Sequence, residues 1–473
     1  MVGEIALNMH DFVQDLGLWI AFKEGRTIMV SLSNDLNSLI GDGFINDQFA
    51  VSSWYRQTNQ TSTLFVAAKL EILWIETGGS LDLSSASFED LQGLKVMVLK
   101  FNGNYDPTSC DLSLPPSVES LTNLRTLCLR GWNLGDISFV VKLKKLQLEE
   151  LIIKHSEELK HIITEHEDGG DTNTGKEIVP ASHNSHLILP NLKRLHVSFC
   201  CKLESMCPIS RIEGLEKLEE IALEKDSQLK YVFGQYDQRD HSSHQKNSQI
   251  HFPMLKAVKL HGICPKKYHT SSYSKAKLES PLSQELNVTK CDKLKCLFPI
   301  IVSRSLPELT PLKVDECEKL EEIMDENIEH KNLSDAQVCF PKFKLIQISL
   351  CRKFKSLLPI AWARMLPKLS VLDISHADEL KVVFSKSSKE ATSNGQEIVI
   401  PNLEELKFIK LLRSVGNCPG FKLHVVNLVK MVVNECPKFA PIIDATQVVP
   451  QPCNQSIDKT KPMIVLHDGG TDN

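Results

Sequence analysis

The stretch that decides the fold is LPNLKRLHVSFCCKL, residues 189–203. Its Leu195 and Val197 alternate with polar residues, and this period of two is typical of a short strand with one buried face. Cys200 follows three positions after Val197, where we expect the chain to turn off the strand. Such a turn leaves backbone groups without ladder partners, and a small side chain that can hydrogen-bond is able to satisfy them.

The same pattern, L-x-x-L-x-L-x-x-(C/N)-x-x-L, recurs along most of the chain, with clear copies beginning at Leu309, Phe343 and Leu428. Stacked copies of such a unit bury a continuous core and form a parallel sheet. The sequence therefore predicts an α/β leucine-rich-repeat solenoid, an irregular horseshoe. We expect a parallel β-sheet on its concave side and mostly loops and short helices on its convex side.

At the turn after each strand we expect a side chain that hydrogen-bonds to the backbone. We call the resulting row of side chains, one from each repeat, the ladder. Trp132, Ile263 and Leu411 also occupy turn positions, but we expect that their side chains do not make the hydrogen bond to the backbone. The cysteines of the ladder should be buried and reduced, since they share one phase of the repeat, and neither a disulfide framework nor a metal site is predicted. The predicted ladder residues are Asn102, Cys200, Cys291, Cys317, Cys351 and Cys436.

Composition limits the classes of partner. The chain has 473 residues, 42% of them hydrophobic and 24% charged, and its net charge is −5. These values are globular and give no indication of a nucleic-acid partner. No apolar run reaches the ~18 residues that predict a transmembrane helix. The first residues, MVGEIALNMHDF, lack the pattern of a secretory signal, so we expect a cytoplasmic protein, with nuclear or peripheral membrane locations left open.

These motifs resemble a known family. The run SLPPSVESLTNLRTLCLRGWNLGDIS (113–138) resembles the repeats of plant intracellular immune receptors of the nucleotide-binding, leucine-rich-repeat class. The copies at 189–206 and 306–324 resemble later repeats of its coiled-coil branch. Near the start, Met9-His10-Asp11 resembles the MHD motif that closes the nucleotide-binding module of such receptors.

The resemblance implies a domain organisation. Residues 1–25 would be the remnant of the winged-helix (ARC2) end of that module, residues 26–440 the repeat solenoid, and residues 441–473 a disordered tail. His10 would lie beside the phosphates of a nucleotide, so ADP or ATP is expected only in an intact receptor that also has the P-loop module. We therefore expect this chain to be a truncated receptor.

A second motif is similar to a phosphate-binding loop. Gly170–Lys176 fits G-x-x-x-x-G-K, but Glu177 stands where such a loop needs Ser or Thr, and no strand or helix pattern flanks the segment. We expect a polar surface insert that binds no nucleotide, so no cofactor is predicted for this chain.

The residues between the strand leucines are predicted to form the binding face. They point away from the core onto the concave sheet and are free of packing constraints. We expect Trp74 and Arg130 to form one partly exposed contact patch, because Trp and Arg are enriched in binding hot spots. The candidate protein-binding residues are Trp74, Arg130, Lys154, Arg194, His196, Lys259, Lys313 and Asp373.

The predicted function is recognition without catalysis, since no catalytic arrangement of side chains has local support. The repeats are expected to bind a pathogen effector or an effector-modified host protein. In an intact receptor they would also hold its own nucleotide-binding module closed. Two alternatives stay open: a leucine-rich-repeat substrate adaptor of a ubiquitin ligase, which would need an F-box-like module upstream, and a non-functional receptor remnant. The sequence does not predict the oligomeric state.

Overall fold

The computed structural model describes the strands of the repeats and the turns beside them. The described residues are 28–31, 50–55, 69–78, 81–83, 88–101, 111–114, 116–134, 146–162, 189–206, 215–226, 228–230, 232, 254–262, 286–299, 310–325, 342–359, 366–385, 396–412, 421–437 and 463–467. His10, Asn102, Ile263 and the near-P-loop lie outside them, and so does the whole of the predicted segment 1–25.

The chain divides into two compact units. The first comprises residues 1–159 and 179–200, and the second comprises residues 160–178 and 201–473. The strands of the first unit are β1 (Ile28–Ser31), β2 (Ala50–Tyr55), β3 (Ile72–Thr77), β4 (Leu81–Asp82), β5 (Val96–Phe101), β6 (Leu112–Ser113), β7 (Thr126–Arg130), β8 (Glu150–Lys154) and β9 (Arg194–Ser198).

The first unit is built on a parallel sheet with the strand order β1-β2-β3-β5-β7-β8-β9. Its register aligns the repeats residue for residue, so that Leu127 of β7 pairs with Leu151 of β8, which pairs with Leu195 of β9. Each of these leucines is at most 2% exposed. Burial of one such side chain stabilises the fold by roughly 1.5–3 kcal/mol, so the aligned leucines explain the register.

The second unit repeats this arrangement. Its strands are β10 (Glu220–Glu224), β11 (Ala257–His261), β12 (Leu286–Thr289), β13 (Cys296–Pro299), β14 (Pro311–Asp315), β15 (Glu322–Asp325), β16 (Leu345–Ser349), β17 (Leu358–Pro359), β18 (Val371–Ser375), β19 (Phe384–Ser385), β20 (Gln396–Val399), β21 (Glu405–Ile409), β22 (Phe421–His424), β23 (Lys430–Asn434) and β24 (Met463–His467). The main sheet is parallel, in the order β10-β11-β12-β14-β16-β18-β21-β23-β24.

The described parts of the connections between the main strands contain little helix. In the described residues of the first unit they contain one 3-10 helix, Pro116–Ser120, and the small parallel pair β4-β6. In the second unit they contain the pairs β13-β15, β17-β19 and β20-β22. The leucine-rich-repeat fold is confirmed. In the connections that the structure describes, short parallel strands outnumber helices, whereas mostly loops and short helices were expected there.

Most main strands end at a residue with a left-handed backbone. The first unit has Gly131 at φ 81° at this position, and the residues with other side chains there lie at φ 52–62°. The N–H of this residue donates to the next repeat, as from Gly131 to the Lys154 carbonyl at 2.7 Å. The non-glycine residues in this conformation are His155, Phe199, Lys225, Lys290, Glu316, Leu350, His376, Lys410 and Glu435.

Part of the segment that was predicted to be a disordered tail is a strand. Met463–His467 forms β24, which pairs in parallel with β23. The edge of a sheet presents unpaired N–H and C=O groups that another extended segment can bind. The apolar run Ile464–Leu466 has the strand propensity to do so, although it lacks the repeat pattern.

Candidate functional site

Each main strand presents up to three side chains on the face opposite the core, which we call the outer face. In β3, β5, β7, β8 and β9 these are the first, third and fifth residues, and the register aligns them in three rows across the strands. The middle row of the first unit is Trp74, Val98, Cys128, Ile152 and His196. It is apolar except at its end.

Trp74 lies in the predicted strand phase but is not exposed as expected. Leu73 and Ile75, on either side of it, are 2% and 0% exposed and belong to the core. Trp74 itself is only 7% exposed, and Val98 in the same row is 4% exposed. The expectation of a partly exposed indole is therefore wrong, because a large ring on a sheet packs against its cross-strand neighbours instead of standing free.

A row of cations lies next to this apolar row. Lys100, Arg130 and Lys154 occupy the same register position on the adjacent strands β5, β7 and β8. Lys100 forms an ion pair with Glu76, with Nζ 2.9 Å from Oε1, and both side chains are largely buried. Arg130 and Lys154 are half-buried. Trp74 and Arg130 thus share one face, as predicted, two strands apart.

The first row of this face carries a polar network. Arg194 is exposed, and its Nε donates to Oε1 of Glu150 at 3.1 Å. Thr126 donates from Oγ1 to Oε2 of the same carboxylate at 3.4 Å. Glu150 and Arg194 therefore hold each other on the sheet, and His196 lies half-buried beside them.

The outer face of the second unit is more polar. Lys259, Asn287, Lys313, Gln347 and Asp373 follow one another along its middle row. Because neutral amides stand on both sides of Lys313, no ion pair of its ammonium occurs among the described residues. Burial raises the pKa of Asp373, which shows that this face is partly shielded from water.

Lysines at the two ends of this row are ion-paired. Lys259 lies 3.8 Å from Glu220, and Lys407 lies 2.9 Å from Glu405 and 3.9 Å from Asp373. A hydrogen bond to Glu405 raises the pKa of Lys407. Lys259 and Lys407 are therefore neutralised within the sheet.

A hydrogen-bonded row runs beside the middle row of the second unit. His261 Nδ1 lies 2.6 Å from the hydroxyl of Thr289, and the hydroxyl of Ser349 donates to Asp315. Burial lowers the pKa of His261. Sequence reasoning placed these residues on the sheet but did not pair them, because the pairing depends on the register between repeats.

The cysteine ladder is largely confirmed. Cys200, Cys291, Cys317 and Cys351 are at most 3% exposed and are free thiols. Each donates to the carbonyl two residues before it, at distances between 3.2 and 3.6 Å. Hydrogen bonding with Cys317, and then burial, raises the pKa of Cys291 and of Cys351.

Two ladder expectations are wrong in detail. Cys436 is free but only half-buried, because it belongs to the last copy of the repeat pattern and no further copy covers it. Trp132 does bond: its Nε1 donates to the Leu99 carbonyl at 2.9 Å. Cys436 bonds the equivalent Phe408 carbonyl of its preceding repeat at 3.5 Å. A large indole can thus serve the same carbonyl as a thiol.

One cysteine departs from the reduced pattern. Cys201, beside Cys200, is disulfide-bonded, whereas the other described cysteines are free. The part of the chain that the structure describes contains no group of His, Cys, Asp and Glu side chains that could hold a metal ion.

The side chains of the left-handed residues form a further row that sequence reasoning missed. His155 stacks on Phe199 with ring centroids 4.4 Å apart. Lys290 lies 3.6 Å from Glu316, and the same distance separates Lys410 from Glu435. No sequence signal marks this row, because most of its members are not Gly or Asn, the residues that favour a positive φ.

Comparison with known proteins places this geometry in a family. Residues 164–318 and 318–448, more than half of the chain, match the family of plant disease resistance protein RPS2-like leucine-rich repeats. No curated protein matches the chain in sequence. No helix among the described residues is long and apolar enough to span a membrane.

Two solved structures resemble the chain. One is the leucine-rich repeat domain of APL1B, with 13% identity, 97% of this chain and 99% of that chain covered, and a TM-score of 0.39. The other is the plant peptide hormone receptor RGFR1 in complex with RGF2, with 11% identity, 87% and 79% covered, and a TM-score of 0.24. From the family match and the aligned repeats, the chain belongs to the RPS2-like leucine-rich-repeat family of plant disease resistance proteins.

Proposed function

We propose that this chain is the recognition part of a plant immune receptor and acts by binding a protein, without catalysing a reaction. Its partner would be a pathogen effector or a host protein that an effector has modified. The observation that carries the proposal is the outer face of each unit. There the register aligns chemically varied side chains on a rigid sheet, while the leucines between them supply the core.

A scaffold of this kind suits recognition. Binding residues on strands are held more precisely than residues on loops. Because they are already ordered in the folded protein, less conformational entropy is lost when a partner binds. In an intact receptor the same faces would also contact the nucleotide-binding module and keep it closed. An effector that competes for the shared surface would then release the module.

The proposal is tested by comparing two sets of variants of the full chain in infected plant tissue. The face set carries Arg130→Ala, Lys259→Ala and Asp373→Ala. The flank set carries Arg125→Ala, Lys256→Ala and Lys368→Ala, which remove charged side chains just before the same three strands. Partners are identified by proximity labelling and confirmed by split luciferase.

We expect at least one effector or host protein to be retained by the flank set and lost by the face set, with both sets melting within a few degrees of the wild type. Partners that both sets bind equally would contradict the proposal. The autoinhibitory part predicts that the face set, joined to its own nucleotide-binding module, gives cell death without an effector, and the flank set does not.

A further inference from the structure

The outer face of the first unit carries an uncompensated cation. Adjacent parallel strands lie roughly 4.8 Å apart, and like charges on neighbouring strands destabilise a sheet. Glu76 neutralises Lys100 at 2.9 Å. Arg130, on the next strand, forms no ion pair with any carboxylate in the described part of the chain, and its strand neighbours in the row are two lysines.

The same face holds a buried donor without an acceptor. The Nε1 atom of Trp74 is inaccessible to water and makes no hydrogen bond among the described residues. The other buried indole among the described residues has an acceptor, since Nε1 of Trp132 donates to the Leu99 carbonyl at 2.9 Å. An unsatisfied buried N–H destabilises the molecule, so an acceptor that reaches Trp74 would be bound favourably.

Side chains next to Arg130 on this face are shielded from water, since Val98 and Lys100 are 4% and 9% exposed. Cys128 stands between Val98 and Ile152 in the middle row, with Arg130 two residues after it. Burial raises the pKa of Cys128 to about 11, although the nearby charges of Lys154 and Arg130 act in the opposite direction. In such surroundings the attraction between Arg130 and an anion is stronger than on an open surface.

Resting on the proposed function, we propose that the outer face of the first unit binds a segment of a partner protein that presents an Asp or Glu side chain beside apolar residues. The carboxylate would pair with the Arg130 guanidinium, whose planar fork accommodates it in a bidentate manner. The apolar residues would pack on Cys128 and Ile152, which are the partly exposed apolar members of the middle row. A small shift of the Trp74 ring would let Nε1 donate to a carbonyl or carboxylate oxygen of the segment.

The experiment uses the full purified chain as bait for a random peptide library displayed on phage. Peptides that bind the wild type are sequenced, and the best is made in two forms that differ only by Glu→Gln or Asp→Asn. Their affinities are measured by fluorescence anisotropy for the wild type and for Arg130→Gln, Trp74→Phe and Arg125→Gln. The last variant is a matched control, because Arg125 flanks the same strand β7 but ion-pairs with Glu149 outside the face.

We expect the enriched peptides to contain an acidic residue next to apolar ones. Arg130→Gln should weaken binding about tenfold or more, and so should the amide form of the peptide. Trp74→Phe keeps the ring and removes only the N–H, so a loss of about fivefold is expected. Arg125→Gln should bind like the wild type.

Three results would overturn the inference. They are enriched peptides without acidic residues, equal losses for Arg130→Gln and Arg125→Gln, and binding of a single-stranded oligonucleotide as tightly as the acidic peptide. In each case a partner lost by the face set in plant tissue would leave the proposed function intact. If no peptide is enriched and the face set loses no partner, both proposals fail.

Discussion

At the residue scale, different side chains at the ends of the strands donate a hydrogen bond to a backbone carbonyl. Cys317, with its sulfur 3.4 Å from the Asp315 carbonyl and 3.9 Å from the Val288 carbonyl, bonds within its own repeat and across to the preceding one. Trp132 makes the cross-repeat bond with an indole N–H. This position therefore requires a side chain that can donate to a carbonyl, and both a small thiol and a large indole do so.

Cys317 is expected to tolerate Asn better than Leu. Asn can replace both hydrogen bonds of the thiol, whereas Leu removes both of them, at a cost of about 1–3 kcal/mol in the free energy of unfolding. The Asp315 carbonyl keeps the hydrogen bond that it accepts from the Lys290 N–H at 2.9 Å, so the cost falls mainly on the Val288 carbonyl. Thermal melts of Cys317→Asn and Cys317→Leu measure the difference. Equal melting temperatures would show that these carbonyls need no donor.

Gly131 is expected to be required at its turn. Its φ is 81°, and an added Cβ would lie 2.7 Å from the Phe101 carbonyl oxygen. Gly131→Ala should therefore lower the free energy of unfolding by roughly 1–3 kcal/mol, from left-handed strain together with the close contact. Urea denaturation measures this loss. An unchanged free energy of unfolding in Gly131→Ala would contradict the assignment.

At the scale of elements, charges at the same repeat position pair strand with strand. On β3 and β5 there are two such pairs in different surroundings. Glu76 and Lys100 are 2.9 Å apart with side chains 13% and 11% exposed, while Glu71 and Lys95, 2.7 Å apart just before the strands, are 23% and 48% exposed. Burial makes the loss of one partner from the first pair more costly.

Double-mutant cycles on these two pairs should separate the effects of burial. The coupling between Glu76→Gln and Lys100→Met is expected at about 1–3 kcal/mol, and that between Glu71→Gln and Lys95→Met below about 1 kcal/mol. Urea unfolding of the four single and two double variants supplies both numbers. Equal couplings would mean that the outer face of the first unit is open to water, which would also weaken the case for a poorly screened face around Arg130.

Glu149 joins three repeats at the strand flanks. It lies 3.0 Å from Arg125 and 2.9 Å from Lys193, and the hydrogen bond from Lys193 lowers its pKa below 4.5. A carboxyl with a lowered pKa in the folded state stabilises the fold above its unfolded pKa, and this contribution is lost as the pH falls through the folded value.

The pH dependence of stability should reveal this contribution. The wild type is expected to be more stable than Glu149→Gln by up to about 1 kcal/mol at pH 7, and the difference should shrink as the pH falls below about 4.5. Urea unfolding between pH 3 and pH 7 measures it. A difference that stays constant down to pH 3 would exclude the charge of Glu149 as its cause.

At the scale of the whole molecule, the repeats within each unit contact their sequence neighbours through the same rows of leucines, so stability accumulates along each stack. Polar inserts separate several of the repeats in the sequence. The longest of them contains Gly170–Lys176, the segment that is similar to a phosphate-binding loop, and it lies outside the described residues.

The full chain is expected to bind neither ATP nor ADP. Glu177 would repel phosphate at the position where a P-loop needs a hydroxyl for magnesium. Isothermal titration with MgATP should give no saturable heat, and Lys176→Ala should behave like the wild type. Saturable binding that Lys176→Ala abolishes would identify the insert as a nucleotide site.

The sequence by itself determined the repeat, its strand phase and the buried cysteine ladder. These follow from local rules: a period of two separates Leu127 and Leu129 from the outer face, and Cys317 recurs at the phase of Cys200 and Cys351. The tertiary structure decided what depends on neighbours from other repeats. The register between strands places Lys100, Arg130 and Lys154 in one row and buries Trp74 against its cross-strand neighbours. Strand β24 pairs with β23 although it lacks the repeat pattern. It also placed non-glycine residues such as His155 at positive φ. A left-handed backbone is strained for such residues, and the hydrogen bond from the His155 N–H to the next repeat offsets this strain.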